Sequence, residues 1–288
     1  MNYHERFSNV LAFIDSNLEG DLSLDNLCKI SLLSKFHFHR LFSAQYKISL
    51  SAYIKQLRMK RASYQLAFRL ERKVIDIALQ AGFESSEAFS RAFKKSIGQS
   101  PSEFRRSPDW QPWHEKHQLI NQLRDQKMPS QPRNYSVDIV EFKQIKIAVL
   151  EHRGAPNLIG NSIRKFIEWR KKNKLPPSIS RTFNLVYDDP NLTQAEDYRF
   201  DIGASIKSDV SDSEFGIITK IIPEGRCAVI RHLGADNNIE QPINYLYGEW
   251  LSQSDNELRD FPLFFERVSF YPDVPENEMI IDIYLPLK

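Results

Sequence analysis

The apolar positions of this chain follow two regimes, helical spacing in its first third and alternation from about residue 135 onward. In Ser34–Lys47, S-K-F-H-F-H-R-L-F-S-A-Q-Y-K, the residues Phe38, Leu41 and Phe42 stand at i, i+3 and i+4. Wound as a helix, the segment buries that stripe, with Ser34 suited to cap it. Phe36, His39, Arg40 and Ser43 then fall on the opposite face. The pattern recurs 51 positions later in S-S-E-A-F-S-R-A-F-K-K at 85–95. There Phe89, Arg91 and Phe93 repeat Phe38, Arg40 and Phe42, and Ser85 repeats Ser34. A short apolar run precedes each copy, L-D-N-L-C-K-I-S-L-L and V-I-D-I-A-L-Q-A-G-F, so both read as helix, turn, exposed helix. Gly82 supplies the turn glycine of the second copy, where Ser31 stands in the first. Matching tails follow, S-L-S-A-Y at 49–53 and S-P-S-E-F at 100–104.

Around these copies the spacing predicts an opening helix over 5–18, burying Phe7, Val10, Leu11, Ile14 and Leu18. Asp21 or Ser23 caps the next helix, which ends near Ile30. Residues 50–69 hold no Gly or Pro and predict one long helix. Its length of roughly 30 Å comes near the ~34 Å turn of B-DNA. From Ser107 the texture changes: two prolines and two tryptophans, then the polar K-M-P-S-Q-P-R-N at 127–134, mark 108–134 as an interdomain linker. Trp110 and Trp113 are expected to dock it onto a domain. Beyond it, β-rich runs predict strands at 136–142, 145–151, 183–187, 198–206, 215–222, 226–232, 263–270 and 278–285. Amphipathic helices fall around 158–173 and 240–252. This half is duplicated as well: I-A-V-L-E-H-R-G-A at 147–155 matches C-A-V-I-R-H-L-G-A at 227–235, and F-I-E-W-R at 166–170 matches Y-G-E-W-L at 247–251.

The expected fold is therefore multidomain. An all-α domain with two helix-turn-helix units (1–107) precedes an α+β domain (135–288) of two pseudo-symmetric β-α-β-β halves. Facing sheets would leave a cleft along the seam of the halves, a natural small-molecule site.

An exposed aromatic beside Arg and His, on a helix entered through a tight turn, suits the reading of base edges in a major groove. For a single copy, a packed helix with a solvated polar face explains the pattern equally well. Two copies in one chain are hard to explain by packing. On the run S-K-F-H-F-H-R-L-F and the long A-G-F-E-S-S-E-A-F-S-R-A-F-K-K-S-I-G-Q-S-P-S-E-F-R, residues 5–106 closely resemble the AraC/XylS-type DNA-binding domain. The resemblance implies two helix-turn-helix units on successive major grooves of double-stranded DNA. Carried over by position, its base-facing residues are Lys35, Phe36, His39 and Arg40, then Ser86, Glu87, Ala88 and Arg91. Some members show Trp where this chain has Phe36. Glu87 sets an acid on the second reading face, able to accept from cytosine N4 or to repel phosphate. Lys55, Arg58, Lys60, Arg61, Arg72, Lys73, Lys94, Lys95, Arg105 and Arg106 are candidate phosphate contacts, which give affinity and register but no sequence information.

Charge sharpens this division. Residues 1–107 hold 17 Lys+Arg against 10 Asp+Glu, a net +7, and the remainder 22 against 27, a net −5. Only the first domain has the footprint of a polyanion binder. At 41% hydrophobic and 26% charged the composition is that of an ordinary globular protein. No run approaches the ~18 apolar residues of a membrane helix, and a polar stretch follows Met1, so the expectation is a cytoplasmic, nucleoid-associated protein without membrane contact. Two cysteines, Cys28 and Cys227, one per domain, make neither a disulfide framework nor a thiol metal site. His37 and His39 are wrongly spaced to share a metal, and His152 and His232 are repeat-equivalent strand-end residues. With no Gly-rich phosphate loop and no nucleophile elbow, neither metal nor cofactor is expected.

The second domain resembles the GyrI-like effector domain. The carrying residues are A-V-L-E-H-R-G, Y-D-D-P at 187–190, G-R-C-A-V-I-R-H-L-G, the helix ending in Trp250, F-F-E at 264–266 and the closing I-D-I-Y-L-P-L. Behind an AraC-type domain it gives the Rob-type arrangement. The resemblance implies capture of a small molecule, often a lipophilic cation, with a glutamate as counter-charge; by position that acid is Glu266. On F-F-E-R-V-S-F it is expected to share a face with Phe264, Val268 and Phe270. A carboxylate on an apolar face is costly unless paired, so it either awaits a cation, aided by aromatic rings, or pairs with an arginine of the chain. Tyr187, Tyr245 and Trp250 are further lining candidates, each equally suited to a core. Val268 replaces a Tyr of many relatives, and the usual Gly-Pro-Tyr of each half is Gly154-Ala155-Pro156 and Gly234-Ala235-Asp236. Some relatives are similar to hydrolases that pair an acid with a Tyr, and those replacements argue against an enzyme. The expected function is a DNA-binding transcription regulator, an activator acting beside RNA polymerase, switched by a small-molecule effector. The alternative is a constitutive regulator whose second domain is structural or binds a protein.

Overall fold

The computed structural model describes residues 3–117 and 135–288. They form two compact units, one of residues 3–117 with 271–278, the other of 135–270 with 279–288. No helix among the described residues is long and apolar enough to cross a membrane.

The first unit is helical: α1 (Tyr3–Ser16), α2 (Leu24–Ser31), α3 (Lys35–Tyr46), α4 (Leu50–Phe68), α5 (Val74–Gln80), α6 (Ser86–Ile97) and α7 (Pro101–Arg106). Serines set most of the starts. Ser23, Ser34, Ser49, Ser85 and Ser100 each accept a hydrogen bond from a backbone N–H three residues on, and Ser100 with Glu103 forms a full capping box. Behind α3, Phe7 of α1 meets the rings of Phe38, Phe42 and Tyr46 at 5.6, 6.2 and 6.0 Å. Behind α6, a file of rings runs from Phe83 through Phe89 and Phe93 to Phe104. Trp110 continues it, 5.4 Å from Phe104 and stacked on Phe68 at 5.6 Å. The expected linker 108–134 is thus helical over 110–117 (α8), with Trp110 and Trp113 buried, and the rest of it lies outside the described residues.

Both expected turns form, but the left-handed residue of the first is Leu32 (φ 54), not Ser31, which closes α2 and is fully buried. In the second it is Gly82 (φ 81). Each turn ties the next residue back to the helix, Leu33 N–H to the Cys28 carbonyl and Phe83 N–H to the Ala78 carbonyl. The first turn reaches its cap one residue sooner, which displaces Ser31 from the glycine's place.

The second unit carries all eight expected strands: β1 (Asp138–Phe142), β2 (Ile145–Arg153), β3 (Thr182–Val186), β4 (Arg199–Ser205), β5 (Ile217–Ile222), β6 (Gly225–Leu233), β7 (Leu263–Arg267) and β8 (Ile280–Pro286). They do not make two facing sheets. One antiparallel sheet runs β1-β6-β8-β7-β3-β4-β2-β5, the halves joined where β3 pairs with β7, Phe183 opposite Glu266. β1 lies at one edge and β2 near the other, yet only Lys143 and Gln144 separate them. Six strand steps of ~4.8 Å are far more than a two-residue link spans, so the sheet must curl and bring those strands together. The same holds for β5 and β6. α9 (Ile159–Lys172) lies on the outer face and buries Phe166 and Trp169. Its counterpart in the second half is α10 (Glu240–Tyr245), a π-helical turn at Leu246–Trp250 and α11 (Leu251–Gln253).

Candidate DNA interface and ligand-binding face

On α3, burial of Phe38, Phe42 and Tyr46 turns Phe36, His39 and Arg40 outward. Phe36 is 86% exposed, an expense of apolar surface that packing within the unit does not explain. Lys35 is exposed too, but pairs with Asp25 at 2.5 Å. On α6 the exposed candidates are Glu87 and Arg91, with Ser86 and Ala88 half-buried. The Glu87 carboxylate sits at the helix start. Backbone and serine hydrogen bonds from Glu87, Ser85 and Ser86, with Arg91 nearby, hold it below the usual carboxylate range. It stays charged near neutral pH and blunts Arg91.

Several expected phosphate contacts are structural instead. Arg58 donates to the Leu18 carbonyl at 2.8 Å, and burial lowers its pKa. Lys60 is buried against Glu276 of the same unit at 2.7 Å, and Arg61 pairs with Glu19. Arg105 reaches the Arg72 carbonyl, and Arg72 the Gln80 side chain. Lys55, Lys73, Lys94, Lys95 and Arg106 remain exposed.

In the second unit, alternation along the strands sets Phe142, Phe183, Leu185, Cys227, Phe264 and Tyr284 into one apolar cluster on the concave face. Tyr284 stacks on Phe264 at 4.8 Å, and Phe142 meets both. Glu266 stands at the end of this cluster and is already paired. Arg181 donates from Nε to Oε1 at 2.6 Å and from Nη2 to Oε2 at 2.5 Å, and the Tyr284 hydroxyl donates to Oε2 at 3.3 Å. Burial pushes the Tyr284 phenol up to about 12, with Glu266 and Asp282 adding to it. Beside it Arg231 forks onto Asp282. The expected face of Glu266 is only partly right. β7 stops at Arg267, and Val268 and Ser269 both donate to the Ile280 carbonyl, a bulge that breaks the alternation. Val268 is left 47% exposed, and Phe270 lies outside the aromatic cluster.

Tyr187 joins the apolar cluster but commits its hydroxyl to Asp201 at 2.7 Å. Burial and Asp201 raise its pKa. Asp201 is fully buried and also holds Lys220 at 2.6 Å, which bridges on to Glu151. Burial works against the Lys220 charge, but Asp201 and Glu151 outweigh it and raise its pKa. Tyr245 and Trp250 sit on the helical segment outside the cluster, Tyr245 packed on Tyr135 at 5.2 Å. His152 and His232 fasten the turns that follow their strands, through the carbonyls of Ala155 and Ala235. The residues missed from the sequence are Arg181, Phe142, Phe183 and Tyr284. Alternation marks their faces, but the β3–β7 register that brings Arg181 to Glu266 leaves no sequence signal.

Two helix-turn-helix units on one chain with a curled, duplicated sheet define a transcriptional regulator of AraC type with an effector-domain fold. Residues 135–288 match the family model of the GyrI-like small molecule binding domain and residues 27–107 that of a helix-turn-helix domain; the chain belongs to the GyrI-like family, with an AraC-type domain preceding it. The probable transcriptional regulator YgiV of Escherichia coli K12 is 36% identical over 152 residues, 52% of this chain and 95% of that protein. The right origin-binding protein of the same organism is 39% identical over 102 residues, 35% of each chain. The cryo-EM structure of an EcmrR–DNA complex covers 92% of this chain and 98% of its own, at 12% identity and TM-score 0.45.

Proposed function

We propose that this regulator is an effector-switched activator. Residues 1–107 read two successive major grooves beside RNA polymerase, and residues 135–288 take a small lipophilic cation. The observation that carries the reading is the outward face of α3, where Phe36 at 86% exposure stands with His39 and Arg40 above a fully packed core. Arg40→Ala is expected to weaken specific binding by ~1–3 kcal/mol per lost bidentate base contact. Electrophoretic titration of specific and scrambled duplexes measures it, and unchanged selectivity removes Arg40 from the reading face. Supporting the effector half, the concave face sets a carboxylate against four aromatic rings. A thermal-shift screen of lipophilic cations, neutral drugs and anions, with Glu266→Gln alongside, tests it; a cation at about 100 times its dissociation constant adds ~2.7 kcal/mol. Abortive transcription with and without such a cation tests activation.

One observation favours the second reading, a constitutive regulator with a structural sheet: Arg181 already neutralises Glu266.

A further inference from the structure

The contacts of Arg181 are those of a bound ligand. Its guanidinium lies over the ring of Phe183 at 4.9 Å and that of Phe142 at 5.9 Å, while its fork grips both oxygens of Glu266. A planar, delocalised and weakly hydrated cation is thus held by one carboxylate and two aromatic faces, the set of contacts an organic cation needs. The two partners differ in access. The Glu266 side chain is 14% exposed and the Arg181 side chain 48%, so the acid lies within the cluster and the cation at its rim.

The base of this side chain is fixed. The Arg181 N–H donates to Ser205 Oγ and its carbonyl accepts from the Ser205 N–H, both at 2.9 Å. Arg170 secures the approach by donating to the Ser180 carbonyl at 2.6 Å and to the Thr182 hydroxyl at 2.5 Å. Only the side-chain torsions beyond the Cα of Arg181 need turn to empty the subsite, and they lead toward solvent. At the other end of the face the cation Lys220 is less accessible, 24% exposed and shared between Glu151 and Asp201, which is fully buried and also held by Tyr187 and Arg153.

We propose that Arg181 is a tethered surrogate ligand: it fills the subsite of Glu266, Phe142, Phe183 and Tyr284, and an aryl or otherwise delocalised organic cation enters by displacing it. The inference rests on the effector reading above. It changes what that reading predicts, since the free protein is self-occupied and the subsite is open only in the fraction of molecules with Arg181 turned out. An external cation then binds more weakly than the subsite alone would hold it, by the inverse of that fraction. Small, strongly hydrated cations gain too little from the rings to displace a forked guanidinium.

The test is titration of the full chain with tetraphenylphosphonium by calorimetry. Arg181→Met keeps an apolar stem without the charge, and is expected to tighten binding about tenfold or more, for an open state populated at ~10% or less. Adding Glu266→Gln to Arg181→Met is expected to cancel the gain. Arg181→Lys keeps the charge and the fold but loses the fork, and is expected to lie between wild type and Arg181→Met; it serves if the unpaired Glu266 unsettles the Met variant. Equal affinity in wild type, Arg181→Lys and Arg181→Met overturns self-occupancy and leaves the effector reading standing. Absence of binding in every variant overturns both. If salicylate binds the wild type and Arg181→Met loses it, Arg181 is an anion receptor and the proposal falls.

Discussion

The two helix-turn-helix units share a scaffold and differ in what they show. Phe38 and Phe42 of α3 and Phe89 and Phe93 of α6 are all fully buried, and Ser34 and Ser85 cap the two helices alike. Outward, α3 presents Phe36, His39 and Arg40, whereas α6 presents Glu87 and Arg91 at i, i+4, an acid set against its own base. The supports differ as well: α1 backs the first unit, and α7 with α8 backs the second. Duplication kept the inward positions, which packing constrains, and freed the outward ones. On the proposed DNA face, α3 offers an aromatic ring and an uncompensated base, whereas α6 offers a base offset by an acid.

The largest effects should come from what the units share. Phe38→Ala and Phe89→Ala each remove a ring with 0% exposure, and each is expected to cost about 3–5 kcal/mol. Denaturant titration followed by helical circular dichroism measures them; a marked inequality would show that one unit's core is the looser.

The different supports predict an acid sensitivity confined to the second. His117 of α8 is buried, stacked on Trp113 at 4.4 Å and bonded through Nδ1 to the Trp113 carbonyl at 2.8 Å. Burial pushes its pKa down to about 4 from an ordinary 6.5. The folded state therefore refuses a proton that the unfolded chain takes up below pH 6.5. Stability is full above that pH, falls as pH drops toward 4, and loses about 3 kcal/mol across the window. His117→Gln should flatten that slope, measured as the difference between variant and wild type at several pH values. An unchanged slope would assign the acid sensitivity to other groups.

How much of this was legible in the sequence follows the same inward–outward division. Periodicity gave α1 to α6, the helical runs of the second unit and all eight strands, because a half-buried element must repeat its apolar face. It gave the exposed face of α3 for the same reason. Pairings between distant strands were not legible: neither the β3–β7 seam nor the grip of Arg181 on Glu266 leaves a trace in local spacing. The helical run 110–117 was hidden by flanking prolines and by tryptophans that resemble linker ornament but pack on α4 and α7. Arg58, Lys60 and Arg105 passed for surface charges, since composition does not distinguish a solvated base from one bonded inside the fold.

Next in size is the functional contrast itself. Arg40→Ala should cost ~1–3 kcal/mol of discrimination between specific and non-specific duplex, and Arg91→Ala much less. Glu87→Gln should instead tighten binding to any sequence modestly, by removing an acid from the phosphate side. Titrations at two salt concentrations separate these cases, because a phosphate contact alters the salt slope by ~0.9 and a neutral base contact does not. Equal losses for Arg40 and Arg91 would make both units readers.

The smallest effect concerns the turns and tests the difference in their lengths. Leu32 holds φ 54 and is 67% exposed, so its side chain gains little from packing while its backbone bears the left-handed strain. Leu32→Gly removes strain of roughly 1–2 kcal/mol and returns part of it as the extra freedom of glycine in the unfolded chain. A net stabilisation below about 1 kcal/mol is expected. Gly82→Ala should act in the opposite direction. At φ 81 an added Cβ is strained, and it would stand 2.6 Å from Nη1 of Arg58, whose Nε is fixed on the Leu18 carbonyl. Arg58 must yield its position or the turn must shift, so about 1–2 kcal/mol is lost. Thermal melts of the two variants measure both signs. If Leu32→Gly destabilises, the packing of the Leu32 side chain outweighs the strain of its backbone.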